Sequence, residues 1–316
     1  MEKALNNSGP AAAKPGHRAK RAEPGRRGAK DALEWLMHTI FLLCGIVAVG
    51  FVLVISVYLI ISGVPAMKEI GLTDFLLGQT WAPTASDPSY GILPFILTSI
   101  YGTAGAVLIG VPIGLMTAIY LAKVANPRMA AVIHTAVELL AGIPSVVYGF
   151  FGIVVLVPMV RALGEKWDGS GNSMLTASIL LAIMILPTII GVVEPALRAV
   201  PRSYYEGALA LGATHERSVY TAVVPAARSG ILAGVVLGVG RAMGETMAVI
   251  MVAGNQPRMP KGILQGVRTL TGNIVIEMGY AAGLHREALI ATGVVLFVFI
   301  LLMNLCFSVL KRGKKA

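Results

Sequence analysis

The sequence predicts an all-α membrane protein with six transmembrane helices. Three observations carry that prediction. Of the 316 residues, 56% are hydrophobic and only 13% are charged. The apolar residues are gathered into runs long enough to cross a bilayer, for which about 20 residues suffice. The basic residues are segregated: 18 of the 26 Lys and Arg fall in the N-terminal tail, the loops at 122–131 and 198–228, and the C-terminus, whereas the three alternate loops hold 6. That asymmetry places both termini in the cytoplasm. The net charge of +10 is therefore an orientation signal, with basic tails able to touch anionic lipid, and not a nucleic-acid footprint. Cys44 and Cys306 lie inside apolar runs, where packing and not a disulfide framework is the expectation.

Residues 1–31 are rich in Ala, Pro, Gly, Lys and Arg without apolar periodicity, and predict a disordered basic cytoplasmic tail. Residues 32–316 form the predicted six-helix transmembrane domain, with the loop at 198–228 on its cytoplasmic side. The first span, at 35–61, is too long for the apolar region of a signal peptide and lacks a small-residue cleavage site, so it is expected to stay uncleaved. Trp35 and His38 suit its interface. A polar connection at 62–91 leads to span two at 92–122, which carries Pro94, Gly102, Gly105, Gly110, Pro112 and Gly114. Such breakers are tolerated where neighbours or water satisfy the freed backbone groups.

After a turn at Asn126-Pro127, span three is predicted at 132–160. His134 and Glu138, one turn apart near its start, read as a hydrated pair. Pro144 should break the hydrogen-bond ladder, Ser145 can recapture a freed carbonyl, and Tyr148 shares its face. Ser145 and Tyr148 fit a solute path and ordinary interhelical hydrogen bonding equally. A second loop at 161–173 precedes span four at 174–197, with Pro187 inside it and Glu194-Pro195 at its end. Residues 198–228 are too charged to span. A third polar loop at 254–285 separates span five from span six at 287–310.

Span five, at 229–253, is predicted as one continuous helix with Arg241 near its middle. Arg241 lies about 18 Å along the helix from Ser229 at 1.5 Å per residue, far from either interface. A charge at that depth costs roughly 2.5–3.5 kcal/mol, so it should face protein or water. Glu245, four residues on, falls on the same helical face. The pair reads either as an ion pair holding a bundle together or as a charged element on a solute path. The Arg-before-Glu order is the weaker one for helix stabilisation, which disfavours a purely structural role. Gly234/Gly238 and Gly240/Gly244 make two small-xxx-small pairs suited to close helix approach.

The cytoplasmic segment at 206–225 reads EGALALGATHERSVYTAVVP: a helix, a glycine break, an amphipathic piece and a proline. Its spacing resembles the cytoplasmic loop signature of binding-protein-dependent ABC importer permeases. Glu206, Ala208, Gly212 and Pro225 match that signature, while Gly207, Ala222 and Val224 depart from it conservatively. Two further stretches, ELLAGIPSVVYGFFG at 138–152 and GRAMGETMAV at 240–249, resemble the phosphate-specific ABC importer permease of the PstC type. The resemblance runs from about Trp35 to the end.

It implies a type I ABC importer (MetI-like) architecture in the bacterial inner membrane. It implies partners too: a PstA-type second permease, two PstB-type ATP-binding subunits and a PstS-type extracytoplasmic phosphate-binding protein. Glu206, Gly207, Ala208, Gly212 and Pro225 would then belong to a coupling helix that docks on an ATP-binding subunit. Arg241, Glu245, Ser145 and Tyr148 would line the substrate pathway. A guanidinium suits a phosphate oxyanion because it offers bidentate donors and stays charged, and a neighbouring carboxylate would keep the attraction from becoming a trap.

The GxxxxGK[ST] phosphate loop is absent. This chain is therefore expected to bind no cofactor and no metal and not to be an enzyme, with ATP and Mg on partner subunits. The rival readings are a permease of the same class for sulfate or molybdate, a self-sufficient secondary transporter or channel, and a membrane enzyme using His134, Glu138 or Glu245. No visible internal repeat argues against the second of these.

Overall fold

The computed structural model describes residues 24–164 and 170–312. By internal contacts the chain divides into two units, residues 1–56 and 57–316. Helix α1, Pro24–Ile70, runs through the boundary. In the first unit it is a single apolar rod whose large side chains, Trp35, Phe41 and Phe51 among them, are exposed. Its stretch from Asp31 onward is long and apolar enough to cross a membrane. The helix begins inside the stretch read as tail, because Arg26, Arg27, Ala29 and Lys30 are compatible with helix and the following span supplies a nucleus to extend. Residues 1–23, the remainder of the predicted tail, lie outside the described residues.

The second unit is built around α7, Met174–Arg198. Ser173 caps it, its Oγ accepting from Thr176 N–H at 3.3 Å. Helix α3, Leu93–Lys123, lies along one side of α7. The close approach depends on glycine: a Cβ on Gly110 would meet Ile185 Cδ1 at 2.7 Å, and one on Gly105 would meet Ser178 Oγ at 2.6 Å. Helix α11, Arg228–Gly244, packs on α7 in the same way. There a Cβ on Gly234 would meet Val193 Cγ2 at 2.6 Å, and one on Gly238 would meet Ile189 Cγ1 at 3.0 Å. Lipid gives no hydrophobic drive between helices, so this interdigitation of small against branched residues is what holds them. Gly240 and Gly244, by contrast, meet nothing within 4 Å. Leu180, Ile185, Ile189, Val193 and Leu197 of α7 form the centre of the main apolar cluster.

Span three is divided. Helix α4, Pro127–Gly142, is capped by Asn126, whose Oδ1 accepts from Met129 N–H at 2.9 Å. It stops at Ile143, which is extended (ψ 126), as a residue before proline prefers. Helix α5, Ser145–Phe151, then starts after Pro144 and continues through a π-helical stretch at Gly152–Leu156 into α6, Val157–Gly164. Ser145–Leu163 is the part long enough to span.

Among the described residues five helices qualify as spans by length and composition, and a sixth is reached if α11 is counted with His215–Ala226 as one bent span. His215–Ala226 comprises α9, His215–Ser218; a π-helical stretch at Val219–Val223; and α10, Val224–Ala226; α8, Arg202–Ala210, precedes it. His215–Ala226 meets α11 at 72°.

Span five also ends early. α11 stops at Gly244, Glu245 is extended (ψ 130), and α12, Met247–Val252, starts afresh after Thr246. Two glycines in the last turn and a β-branched threonine after them weaken a continuous helix here. The region expected to be a polar loop at 254–285 contains α13, Leu270–Glu277, capped by Thr269. Helix α14, Gly283–Arg312, is the last. A second apolar cluster joins Phe75 of α2, Leu72–Leu77, with Trp81, Ile92, Phe95, Leu270 and Leu289. Trp81 belongs to a short antiparallel pair, β1 Trp81–Ala82 with β2 Ser89–Tyr90.

Candidate functional site

The break between α11 and α12 decides the geometry around Arg241 and Glu245. On an unbroken helix the two side chains would be one turn apart. The extended backbone at Glu245 turns its carboxylate forward instead, where Oε1 accepts from Thr246 N–H at 3.1 Å and Ala248 N–H at 3.2 Å. These are first-turn donors of α12 that have no intrahelical partner. The Arg241–Glu245 ion pair, one of the two readings of the sequence, is therefore not formed among the described residues. Arg241 is exposed and takes part in no hydrogen bond or ion pair among the described residues. Tyr148, another predicted pathway residue, is set in place by a different pair of helices.

Tyr148 comes to that place because α5 packs on α12. A Cβ on Gly149 would lie 3.2 Å from Ala248 Cα, and one on Gly152 would lie 2.6 Å from Val252 Cγ1. The Tyr148 ring is buried, 4% exposed, and its hydroxyl donates to Leu140 O at 2.7 Å. Tyr148 thus satisfies a carbonyl freed by the Pro144 break, the task the sequence gives to Ser145. Ser145 opens α5, half-buried, with no side-chain hydrogen bond among the described residues. Of the four predicted pathway residues, the fold leaves Arg241 exposed at the end of α11, buries Tyr148 against α12, sets Glu245 to hold the start of α12, and leaves Ser145 at a helix start.

The second predicted group forms a surface at the other end of α11. Glu206 and Gly207 are exposed on α8 and Ala208 is half-buried. Gly212 has φ +82, a left-handed conformation that favours glycine. Its turn leads to Thr214, which caps α9 by accepting from Arg217 N–H at 3.3 Å. The Tyr205 hydroxyl lies 2.7 Å from His215 Nδ1, tying the two helices across the turn. Pro225 is exposed in α10. Tyr204, Leu209, Leu211 and Tyr220 stand exposed around the same turn, Leu211 at 91%.

Two buried carboxylates were not legible as sites. Glu194, 2% exposed, receives Arg198 Nε at 2.8 Å and lies 2.9 Å from His134 Nε2. Arg198 Nη2 also donates to Leu121 O at 2.9 Å. His134 therefore pairs across to α7, and Glu138, its expected partner, is exposed. Near α13, Glu277 is 6% exposed. Its Oε2 accepts from Trp81 Nε1–H at 2.9 Å and lies 2.8 Å from His285 Nε2, while Oε1 accepts from Arg268. The partners of Glu277 lie up to 196 residues away in sequence, so spacing held no sign of the cluster.

Residues 110–315 match the family described as binding-protein-dependent transport system inner membrane component. The chain belongs to that family. It is 37% identical over 276 residues to the probable ABC transporter permease protein YqgH of Bacillus subtilis, covering 86% of this chain and 89% of that protein. It is 35% identical over 296 residues to the phosphate transport system permease protein PstC of Xylella fastidiosa, covering 87% and 90%. Among solved structures, a chain of a bacterial alginate ABC transporter superposes with a TM-score of 0.59 at 16% identity, covering 90% of this chain and 96% of that one. A chain of the MetNI methionine ABC transporter gives 0.52 at 19% identity, covering 71% and 94%. At those identities the likeness is one of fold. This chain is a multi-pass permease subunit of an ABC importer and not itself an enzyme.

Proposed function

We propose that this chain is the PstC-type subunit of an ATP-driven importer of inorganic phosphate, contributing half of the translocation pathway. The observation that carries the reading is Arg241: an exposed guanidinium in a membrane span, at a helix break, with no protein ion pair among the described residues. A buried or membrane-embedded cation left without a carboxylate calls for an anionic visitor, and a guanidinium suits a tetrahedral oxyanion. The 35% identical relative named for phosphate transport supports the solute.

In this reading both termini and the 198–228 segment are cytoplasmic. Helix α8, with Glu206, Gly207, Ala208 and the Gly212 turn, docks on a PstB-type ATP-binding subunit, one of two. Those subunits, not this chain, hold ATP and Mg. A PstA-type permease supplies the other half of the pathway, and a PstS-type binding protein delivers phosphate at the opposite face. ATP-driven closure moves α8, and the 72° joint to α11 conveys that movement to Arg241. Tyr148 and Ser145 line the path beside it, while Glu245 keeps the break formed.

Radiolabelled phosphate uptake into membrane vesicles carrying the whole importer tests the reading. Uptake should saturate, require ATP, and be competed by unlabelled phosphate more strongly than by sulfate or molybdate. Competition in the reverse order assigns the permease to another oxyanion. The name of the relative YqgH specifies no solute, so the competition order is the deciding measurement.

A further inference from the structure

The α11–α12 break lines a small cavity of about 20 Å³ whose wall is mostly apolar, Leu181, Met243 and Val249 among it, with Thr98 and Thr103 of α3, Glu245 and Thr271 as its polar groups. A cavity needs roughly 10–15 Å³ by this measure to hold a water, with two to four polar partners. Thr98 is 1% exposed, and its Oγ1 has no hydrogen-bond partner among the described residues. A buried hydroxyl left so is destabilising unless something supplies the missing partner. The other polar groups are partly committed. Ser99 Oγ accepts from Leu270 N–H at 3.0 Å, and Thr271 Oγ1 donates to Glu245 O at 3.3 Å. Glu245 Oε1 takes two backbone N–H groups, but Oε2 takes none from the described residues. One free carboxylate oxygen among neutral hydroxyls is too little for a divalent cation; it is what one water requires.

We propose that this cavity is a binding site for a single ordered water that joins the Thr98 hydroxyl to the Glu245 carboxylate. Thr98 is then a positioning residue: through the water it holds the carboxylate that forms the start of α12, and with it the break beside Arg241. The transport consequence rests on the function proposed above; the water site does not.

Hydroxyl-radical labelling of the full-length protein in lipid nanodiscs reads the site directly, because radicals form from bound water as well as bulk water. Met243, 6% exposed, lines the cavity, whereas Met67 at 8% and Met184 at 1% do not. Met243 should label several-fold faster than both controls in the wild type and in Thr98→Ser. In Thr98→Val, which puts a methyl group in place of the hydroxyl, it should fall to their level. Equal labelling of Met243 and the controls, or Met243 labelling unchanged in Thr98→Val, overturns the site. An experimental structure that resolves other internal waters but no density between Thr98 and Glu245 does the same. At matched abundance, uptake by Thr98→Val should drop roughly tenfold, the scale of one hydrogen bond to a charged group, with Thr98→Ser near wild type. Wild-type uptake by Thr98→Val removes the positioning role. Labelling requires no solute, so a wrong solute assignment leaves it unchanged.

Discussion

At the scale of single residues, charge and its partners decide what each side chain can do. Arg241 has no protein counter-ion among the described residues, so removing Glu245 with it cannot restore a balance that was not there. Arg241→Gln should lower phosphate uptake at least tenfold, and Arg241→Lys should also be impaired, since an ammonium keeps the charge but loses the planar fork. The double variant Arg241→Gln, Glu245→Gln should stay as inactive as the single one. Uptake near wild type in the double variant, at equal membrane abundance, would remove Arg241 from the solute path. Glu194 is the opposite case, a buried carboxylate that Arg198 and His134 share. Glu194→Ala removes the acceptor of both and should cost about 1–3 kcal/mol. His134→Ala should cost less, because it leaves the Arg198–Glu194 bond in place. Thermal unfolding of the purified variants in one detergent measures the difference.

At the scale of elements, glycines divide into those that permit packing and those that permit a turn. Gly234 lies against Val193, and Gly234→Leu should separate α11 from α7, destabilising by about 1–3 kcal/mol. Gly240 faces open space, so Gly240→Leu should leave the folded chain intact. Comparing the melting temperatures of the two variants tests the assignment; equal losses refute it. Gly212 matters through its backbone. At φ +82 a leucine costs roughly 1–2 kcal/mol, enough to distort the small α8–α9 turn without touching the distant core. Gly212→Leu should insert normally yet recover less ATP-binding subunit in a pull-down. Undiminished recovery together with full transport would remove the coupling role from this segment.

At the scale of the whole molecule, orientation follows from where basic residues sit, and assembly follows from what is left uncovered. Deleting residues 2–23 retains Arg26, Arg27 and Lys30, which lie at the start of the first span. In the orientation proposed above those charges suffice to hold the N-terminus on its side, so the shortened chain should insert with wild-type topology and import phosphate. Reporter fusions at the C-terminus and an uptake assay check both. A correctly inserted but inactive deletion assigns the tail a function of its own.

The sequence by itself determined the class, the number of spans, the helix–turn–helix at 206–225 and the family. These rest on composition, apolar run length and local spacing, which survive in one dimension. It also located Arg241, because a charge deep in an apolar run is costly wherever the chain folds. Tertiary structure decided what the charges do. A periodicity argument assumes an unbroken helix, and it therefore placed Glu245 beside Arg241 and Glu138 beside His134. The break at Glu245, where the carboxylate satisfies N–H groups that a new helix leaves free, cancels the first pairing. The approach of α4 to α7, which sets His134 against Glu194, cancels the second. Glu277 gathers Trp81, Arg268 and His285 from separate segments. A buried carboxylate takes whichever donors packing brings to it, and packing is a property of the assembled chain.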